Sequence, residues 1–584
     1  MTVSDYIFKF LYEKGCKQTY MVSGSSAMWL TDALYRNKDM KAICTNHEQA
    51  AAMAADGYAR VNEVPGACLV TIGPGATNAI TGVAQAYFDS SPIFVISGQA
   101  NSKLLQYAID TGIRQNACQS LIIEPLVSGV TKYCKTVMNP DDIVMVMNEA
   151  YKAAMSGRKG PVWIDVPVDV QNMQVSDKAI SEVKEEKICS PNDDIDYEEI
   201  ISLLKKSKKP LILSGYGVRD SKACGILKEF SEKYSIPVVT SRGGIDTIAS
   251  SNELYIGRPG GYGDRASHFA IQECDLLFIL GSRLSVSTIG YYPDRLAQNA
   301  TKIMIDIDEK ELERDAVPIQ IKYKCDINYF LEKLMDKLKN CAVGEFSSHV
   351  EWINHCVENR KIYPVVIKEY KEMKPLNLYY FIDILSELAP AETNIVVDTG
   401  SVYCMTSQSW KIKEGQRYIA SGGFSSMGSW ATALGVAQEG KNVIAISGDG
   451  STQMNIQELA TLKYNKIPVK LFVINNHGYM LIRHNQHNYM NDRFLGVGSD
   501  SGVESLDFSA IAKAYGICNF RITADDNIEE KINEVLKYDG PVLCEVMVQE
   551  FAEIQPKIAS KVMPDGSLKA AEFDDLYPFI DRRG

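Results

Sequence analysis

Short apolar runs rich in β-branched residues alternate with helical patterns along almost the whole chain. The runs Ala67–Ile72, Ile93–Ser97, Val162–Val166, Pro210–Ser214, Pro237–Thr240, Leu276–Leu280, Lys302–Ile307, Asn394–Val397, Asn442–Ile446, Val469–Ile474 and Pro541–Val548 predict strands. Strands of this kind separated by helix-length segments imply parallel sheets covered by helices, so the expected fold class is α/β. The first helical signal, Tyr6, Ile7, Phe8, Phe10 and Leu11, is amphipathic. Two stretches break the rhythm: Ser176–Tyr197, rich in Glu, Lys and Asp, and Lys339–Pro375, charged and without strand runs. Read as linkers, they give domains near 1–175, 190–340 and 365–555, followed by a tail over 556–584. Pro556, Pro564-Asp565-Gly566 and Pro578 mark that tail as extended over the body. The first and third domains are candidates for one shared architecture.

Composition narrows the classes of function. The chain has 584 residues, 46% apolar and 23% charged, which suits several buried cores and excludes a disordered or fibrous chain. Lys+Arg 61 against Asp+Glu 73 leaves a net charge of −12, which speaks against nucleic-acid or anionic-membrane partners. No apolar stretch approaches the ~20 residues needed to span a bilayer. The N-terminal pattern also lacks the basic region and apolar core of an export signal, so a soluble, cytoplasmic protein is expected. The 14 Cys are scattered, with no CxxC pair and no metal-type spacing, as suits thiols in a reducing compartment. Small-molecule chemistry is the expectation.

The strongest local signal is the strand-like run from Val443 that ends in Gly448-Asp449-Gly450-Ser451 and opens a helix expected over Gln453–Tyr464. Backbone N–H groups at such a turn, at the positive end of a helix, cradle phosphate. Asp449 in the turn can hold a hard cation against that phosphate. The strand Val469–Ile474 then ends in Asn475-Asn476-His477-Gly478, so two strand ends at one carboxyl edge offer an Asp and an Asn. Carboxylate and amide oxygens, completed by a backbone carbonyl and phosphate oxygens, form an octahedral Mg²⁺ set. Alone, a Gly-Asp-Gly turn is read equally well as a tight turn with a capping Asp. The spacing to Asn475-Asn476 favours the site.

With these residues on view, the sequence resembles the thiamine diphosphate enzymes. Gly448-Asp449-Gly450-Ser451, followed 26 residues after its Asp by Asn475-Asn476, is similar to that family's diphosphate and metal motif. The run 448–459 resembles acetolactate synthases closely, and residues 45–60 and 71–99 resemble the pyrimidine-binding domain of the same enzymes. The resemblance implies three doubly wound parallel-sheet domains, in the order pyrimidine-binding, middle and diphosphate-binding. It further implies thiamine diphosphate and Mg²⁺ as cofactors, and a homodimer or homotetramer with active sites at the subunit interface. Glu48 follows the strand-like Lys41–Cys44 and opens an Ala-rich helix. By resemblance it is the carboxylate that hydrogen-bonds a ring nitrogen of the cofactor and promotes loss of the thiazolium proton, with Gln119 also facing the active centre. Asp449, Asn476 and Gly478 are implied at the metal. Gly24, Ser25, Thr71, Gly75, Asn78, Gly400, Ser401, Ser425, Met427, Gly448, Gly450, Ser451, His477, Gly478, Tyr479 and Met480 are implied around the cofactor, with Met427 as the apolar wedge that keeps it bent. Ser26, Arg283, Leu481 and Asn485 fall on the substrate side, where Arg283 matches an arginine that holds a substrate carboxylate.

Departures from the family pattern bear on the substrate. Asn485 stands where acetolactate synthases carry a Trp that helps select a small 2-keto acid acceptor; an amide there opens space and adds hydrogen-bonding groups. Gly24-Ser25-Ser26 replaces Gly-Gly-Ala, Cys118-Gln119-Ser120 replaces Phe-Gln-Glu, and Ser401-Val402 replaces Gln-His. His477, His484 and His487 lie near the same mouth, and a structural or surface role is the expectation for each. Acetolactate synthases hold FAD in the middle domain without using it for redox chemistry. Here Gly215, Gly217, Gly260, Gly261 and Gly281 fall at strand ends, yet no GxGxxG follows a strand, so FAD is possible but not the favoured expectation. The preferred reading is a carboligase that decarboxylates a 2-keto acid, first of all pyruvate, and transfers the acyl unit to an acceptor carbonyl, larger or more polar than pyruvate, such as a sugar-derived ketone or aldehyde. Acetolactate synthase proper, a carbon–carbon hydrolase or simple decarboxylase, and a catalytically idle homologue stay open. The intact Glu48, Asp449 and Asn476 disfavour the last.

Overall fold

The computed structural model describes residues 1–182, 194–437, 441–562 and 568–580. It contains three six-stranded parallel sheets. The first is built from β1 (Gln18–Met21), β2 (Lys41–Cys44), β3 (Gly66–Val70), β4 (Ile93–Gln99), β5 (Tyr133–Thr136) and β6 (Val162–Pro167), in the order β2-β1-β3-β4-β6-β5. The second comprises β7 (Pro210–Ser214), β8 (Val238–Thr240), β9 (Tyr255–Gly257), β10 (Leu276–Leu280), β11 (Thr301–Asp306) and β12 (Ile321–Lys324), in the order β12-β11-β10-β7-β8-β9. The third comprises β13 (Asn394–Val397), β14 (Arg417–Ala420), β15 (Val443–Gly448), β16 (Val469–Asn475), β17 (Cys518–Ile522) and β18 (Val542–Met547), in the order β14-β13-β15-β16-β18-β17. The first and third sheets therefore share one relative strand order, and their crossover connections are helical as parallel pairing requires.

All eleven runs expected as strands are strands, because each lies in a sheet covered on both faces. Seven strands of these sheets carry no such run: β1 inside the first sheet, and β2, β5, β9, β12, β14 and β17 at sheet edges, of which β2 is the strand-like Lys41–Cys44 before Glu48. Edge strands are half covered and tolerate polar residues; β17 alternates Cys518 and Phe520, partly buried, with Asn519 and Arg521, both exposed. The helix expected over Gln453–Tyr464 starts earlier, at Asp449, and is broken: Asp449–Met454 is followed by Glu458–Asn465. The break falls at Asn455, whose backbone leaves the helical region at φ −132° and whose side-chain amide donates to the Gly428 carbonyl. Within Lys339–Pro375 lies the helix Val350–Ile362, whose Trp352 and Cys356 are buried and whose indole N–H donates to the Pro210 carbonyl. In Ser176–Tyr197, residues 183–193 lie outside the described residues, as does Pro564-Asp565-Gly566 in the tail.

The chain forms two compact units. One comprises Met1–Cys189, Thr393–Val402 and Ile419–Met547 and carries the first sheet and the third, apart from the first half of β14; the other comprises Ser190–Glu392, Tyr403–Tyr418 and Val548–Gly584 and carries the second sheet. In the second unit the tail buries Phe573 and Leu576, and its Phe573 ring stacks on His268. Burial holds His268 down at about 4, so it is neutral at physiological pH.

In the first unit one apolar core runs from Val3 to Leu543. Its spine is the helix Glu48–Asn62, buried on every side along Ala50–Arg60. Small residues let backbones meet there: a Cβ on Gly57 would lie 2.3 Å from the Thr432 carbonyl oxygen, and one on Gly435 would lie 1.7 Å from that of Ala54. Gly435→Ala is therefore expected to cost about 1–3 kcal/mol through overpacking, measured by chemical denaturation. Unchanged stability would mean that the helices do not approach this closely in solution.

Candidate active site

The carboxyl ends of β1, β2 and β3 share one edge, with Met21 opposite Cys44 and Leu69. Ligands of open parallel sheets gather at such an edge. From β1 the chain passes to Gly24, from β2 to Thr45–Glu48, and from β3 to Thr71–Gly75. The Thr45 amide and hydroxyl both donate to the Met21 carbonyl, and His47 caps the helix by accepting the Gln49 amide at Nδ1, 3.1 Å. Glu48 then opens the helix with only 9% exposure. Its Oε2 accepts from Asn78 Nδ2 at 3.0 Å, while Oε1 stays beside Gly75, 3.4 Å from where a Cβ would stand. Gly24 and Gly75 both close on Thr71, whose hydroxyl is buried with no hydrogen-bond partner among the described residues. Gln119, exposed and at φ 60°, stands over Gly73 with its carbonyl 2.6 Å from the Cβ position there. Five of the expected residues, Gly24, Glu48, Thr71, Gly75 and Asn78, thus form one cluster, with Gln119 at its edge. Ser25 is exposed beside it, and the Ser26 carbonyl accepts from Gln171 Nε2.

The second cluster forms where β15 and β16 end side by side, Gly448 opposite Ile474. Asp449 is 4% exposed; its Oδ1 accepts the Gly450 amide at 2.8 Å and its Oδ2 the Gly478 amide at 2.7 Å, so one carboxylate ties both turns together. Burial pushes this carboxyl up to about 6, against the pull of those two amides. Asn475 and Asn476, alike in sequence, part company. Asn475 turns inward and donates to Glu545 Oε1 at 2.8 Å, whereas Asn476 Oδ1 is buried without a partner among the described residues. Gly478, at φ 136°, is required here, since a Cβ would lie 1.9 Å from the Val497 carbonyl oxygen. Gly450 lies under the Tyr479 ring, and His477 Nδ1 meets the Ser505 hydroxyl at 2.7 Å. Ser451 is buried in the first turn of the helix.

Among the described residues no group of three or more His, Cys, Asp or Glu gathers. A cation at Asp449 would depend on amide and carbonyl oxygens and on oxygens that a ligand brings, which is the donor set Mg²⁺ accepts. Among the described residues Asn476 Oδ1 has no partner and the Asp449 carboxylate faces two amides but no cation; both fit such a cation, because a buried polar oxygen and a buried charge are costly unless paired.

Residues 1–122 match the N-terminal TPP binding domain of thiamine pyrophosphate enzymes, residues 197–334 their central domain, and residues 398–546 their C-terminal TPP binding domain. Across 96% of its length the chain is 31% identical to the acetolactate synthase large subunit of Lactococcus lactis subsp. lactis, covering 95% of that protein. It is 30% identical to acetolactate synthase isozyme 2 large subunit of Escherichia coli, over 96% of the chain and 97% of the relative. A probable acetolactate synthase large subunit of Methanocaldococcus jannaschii is 31% identical over 100% of the chain and 99% of its own length. The chain belongs to the thiamine diphosphate enzymes. Within them it is a 2-keto acid enzyme of the acetolactate synthase-like group.

In this thiamine diphosphate enzyme the remaining expected residues are spread over both units. Gly400 is at φ 81° and Ser401 is buried at the start of the helix Ser401–Ser409. Before them, Asp398 is fully buried and accepts from the Thr399, Ser429 and Trp430 amides and the Ser429 and Ser447 hydroxyls, so it anchors the loop. Ser425 is exposed at φ 59°, and Met427 is half-buried. On the helix Met480–Met490, Met480 and His484 are buried, Leu481 is half-buried, and Ile482 and Asn485 are exposed. His487 is exposed against Asp492. Arg283 belongs to the second unit, where its carbonyl accepts from Arg314 Nη2.

Sequence reasoning passed over Glu458, which the fold brings to the Glu48 turn. It is fully buried, and burial raises its carboxyl to about 7 against the pull of the Thr461 hydroxyl and the Asn46 and His47 amides. Its position in the run 448–459, one turn beyond the Asp449 helix, was the available signal.

Proposed function

We propose that this enzyme is a Mg²⁺-dependent carboligase that takes pyruvate or a similar 2-keto acid as donor and passes its acyl unit to a carbonyl acceptor larger or more polar than a second pyruvate, such as a sugar-derived ketone or aldehyde. The observation that carries the acceptor is Asn485: exposed on the helix that follows the Asn476 turn, it offers an amide where the family has an indole. Thiamine diphosphate, when bound, supplies the electron sink that lets a 2-keto acid lose CO₂ and its acyl carbon act as a nucleophile.

Asp449, Asn476 Oδ1 and the Gly478 carbonyl would hold Mg²⁺ and, through it, the diphosphate. The backbone around Gly448, Gly450, Ser451, His477, Tyr479 and Met480, with Gly400, Ser401 and Ser425, would line the rest of that end. Met427 would press the cofactor into its bent form. Glu48 would hold a proton between Oε1 and a cofactor ring nitrogen, while Asn78 keeps Oε2 occupied. Gly24, Ser25, Thr71 and Gly75 would wall that pocket, and Gln119, Ser26 and Leu481 would join Asn485 on the substrate side. The active unit is a homodimer or homotetramer in which Glu48 works with the Asp449 site of a second copy. FAD is not part of this reading. Of the strand-end glycines of the second sheet, Gly215, Gly217, Gly260 and Gly281 serve packing, a Cβ on Gly215 lying 2.1 Å from the Gly281 carbonyl oxygen, whereas Gly261 stands in open space.

The test is CO₂ release from pyruvate with thiamine diphosphate and Mg²⁺, followed by mass analysis of products with and without aldehydes and sugar ketones. Acyl transfer to an added acceptor exceeding acetolactate formation is the expected result, and acetolactate as the main product in every mixture would overturn it. Asn485→Trp should then shift the ratio at least about tenfold toward the small acceptor, the size of a filled or emptied pocket contact. An unchanged acceptor profile would remove Asn485 from the substrate side.

A further inference from the structure

We propose that Glu458 is the positioning residue for Glu48: its carboxylate grips the Asn46 amide and thereby fixes the turn from which Glu48 points. The proposal rests on the reading of Glu48 as the activating carboxylate. Glu458 is carried by the helix Glu458–Asn465, on the third sheet's side of the unit, and Glu48 by the first sheet's. Both carboxylate oxygens of Glu458 face the Asn46 N–H, at 3.0 and 3.2 Å, and Oε2 also accepts the Thr461 hydroxyl at 2.7 Å. The Asn46 side chain is held by the same helical turn, its Nδ2 donating to Thr461 Oγ1 at 3.0 Å and to the Gln457 carbonyl at 3.4 Å.

The turn between β2 and the Glu48 helix has three residues. Thr45 is tied back to β1 through the Met21 carbonyl, and the His47 ring caps Gln49 while its amide, like that of Asn46, faces Glu458. Asn46 is tied across to Glu458. A buried carboxylate without a cation is retained only where N–H and O–H donors replace its water, and the donors here are those of the Glu48 turn and of Thr461. The 15-residue helix that Glu48 opens also presents its positive end to this anion. Farther along, that helix is fixed again when Arg60 donates to the Ala420 carbonyl at 3.0 Å, so the rest of the spine stays in place when Asn46 is released. Release would therefore be felt at the start of the helix, where Glu48 is.

The experiment uses the full-length protein with Glu458→Gln, Glu458→Asp and Thr461→Val. Hydrogen exchange of peptides covering residues 44–52 is read in the protein without added cofactor, and kcat and KM for pyruvate are read with thiamine diphosphate and Mg²⁺. Glu458→Gln is expected to raise amide exchange in that segment and lower kcat, each by about tenfold or more, the size of losing a charge-assisted hydrogen bond, with KM and cofactor affinity within about threefold. Thr461→Val, which leaves the carboxylate, should move both readouts the same way by about threefold, and Glu458→Asp should recover part of the loss. Unchanged exchange at 44–52, or a kcat that falls only in step with the melting temperature, would overturn the proposal. If Glu458→Gln fails to fold, Thr461→Val alone decides on the same two readouts. Glu48→Gln in the same assay separates the two levels. Retained turnover there defeats the activator reading itself, whereas a dead Glu48→Gln beside an undisturbed Glu458→Gln defeats only the positioning role.

Discussion

Glu48→Gln is expected to bind thiamine diphosphate within about threefold of the unsubstituted protein and to lose pyruvate turnover by ~10²–10⁴-fold, the range that one well-placed acid–base group contributes. The geometry makes the change clean. Gln has the shape of Glu, so the Ala-rich packing behind it is undisturbed, and its amide oxygen can still accept from Asn78 Nδ2. What is lost is the ability to give and take a proton at the oxygen beside Gly75. Calorimetric titration of the cofactor and CO₂ release from pyruvate check the two halves separately. Near-normal turnover would remove Glu48 from the chemistry.

Asp449→Ala should weaken Mg²⁺ and thiamine diphosphate binding together, by at least ~100-fold, since even outer-shell partners of a metal are worth 10–100-fold. The same change leaves the Gly450 and Gly478 amides without their acceptor, so stability should fall by about 1–3 kcal/mol for each buried amide that water does not reach. Asp449→Asn distinguishes the two effects: a side-chain oxygen still accepts from a turn amide, while the charge for the cation is gone. Titrations of Mg²⁺ and of cofactor, with melting curves, read all three quantities. Cofactor affinity unchanged in Asp449→Ala would refute the cation site.

What the sequence made legible follows from where each residue sits. Strands covered on both faces, such as β10, or β16 along Leu471–Ile474, announce themselves as apolar runs, whereas β12, Ile-Lys-Tyr-Lys at a sheet edge, gives no such signal. The Gly-Asp-Gly turn and the later Gly478 were readable because close approach, of the Tyr479 ring at 450 and of the Val497 carbonyl at 478, leaves glycine as the fitting residue. The division of labour between Asn475 and Asn476 was not readable, because it depends on Glu545, 69 residues beyond Asn476 on β18. The same is true of Glu458: its partner amide is 412 residues away, and no local pattern records such a meeting.

The helix contact between Gly57 and Thr432, with Gly435 closing on Ala54, has a consequence for how the chain is made. The two glycines are 378 residues apart. At the ~5–20 residues per second of ribosomal synthesis, the buried face of the Glu48 helix waits roughly 20–75 s for the segment that covers it. A face built from Leu or Phe would offer chaperones and neighbouring nascent chains a strong hold during that interval. Ala and Gly offer little apolar area, so a surface that must wait that long for its cover is a weakly adhesive one.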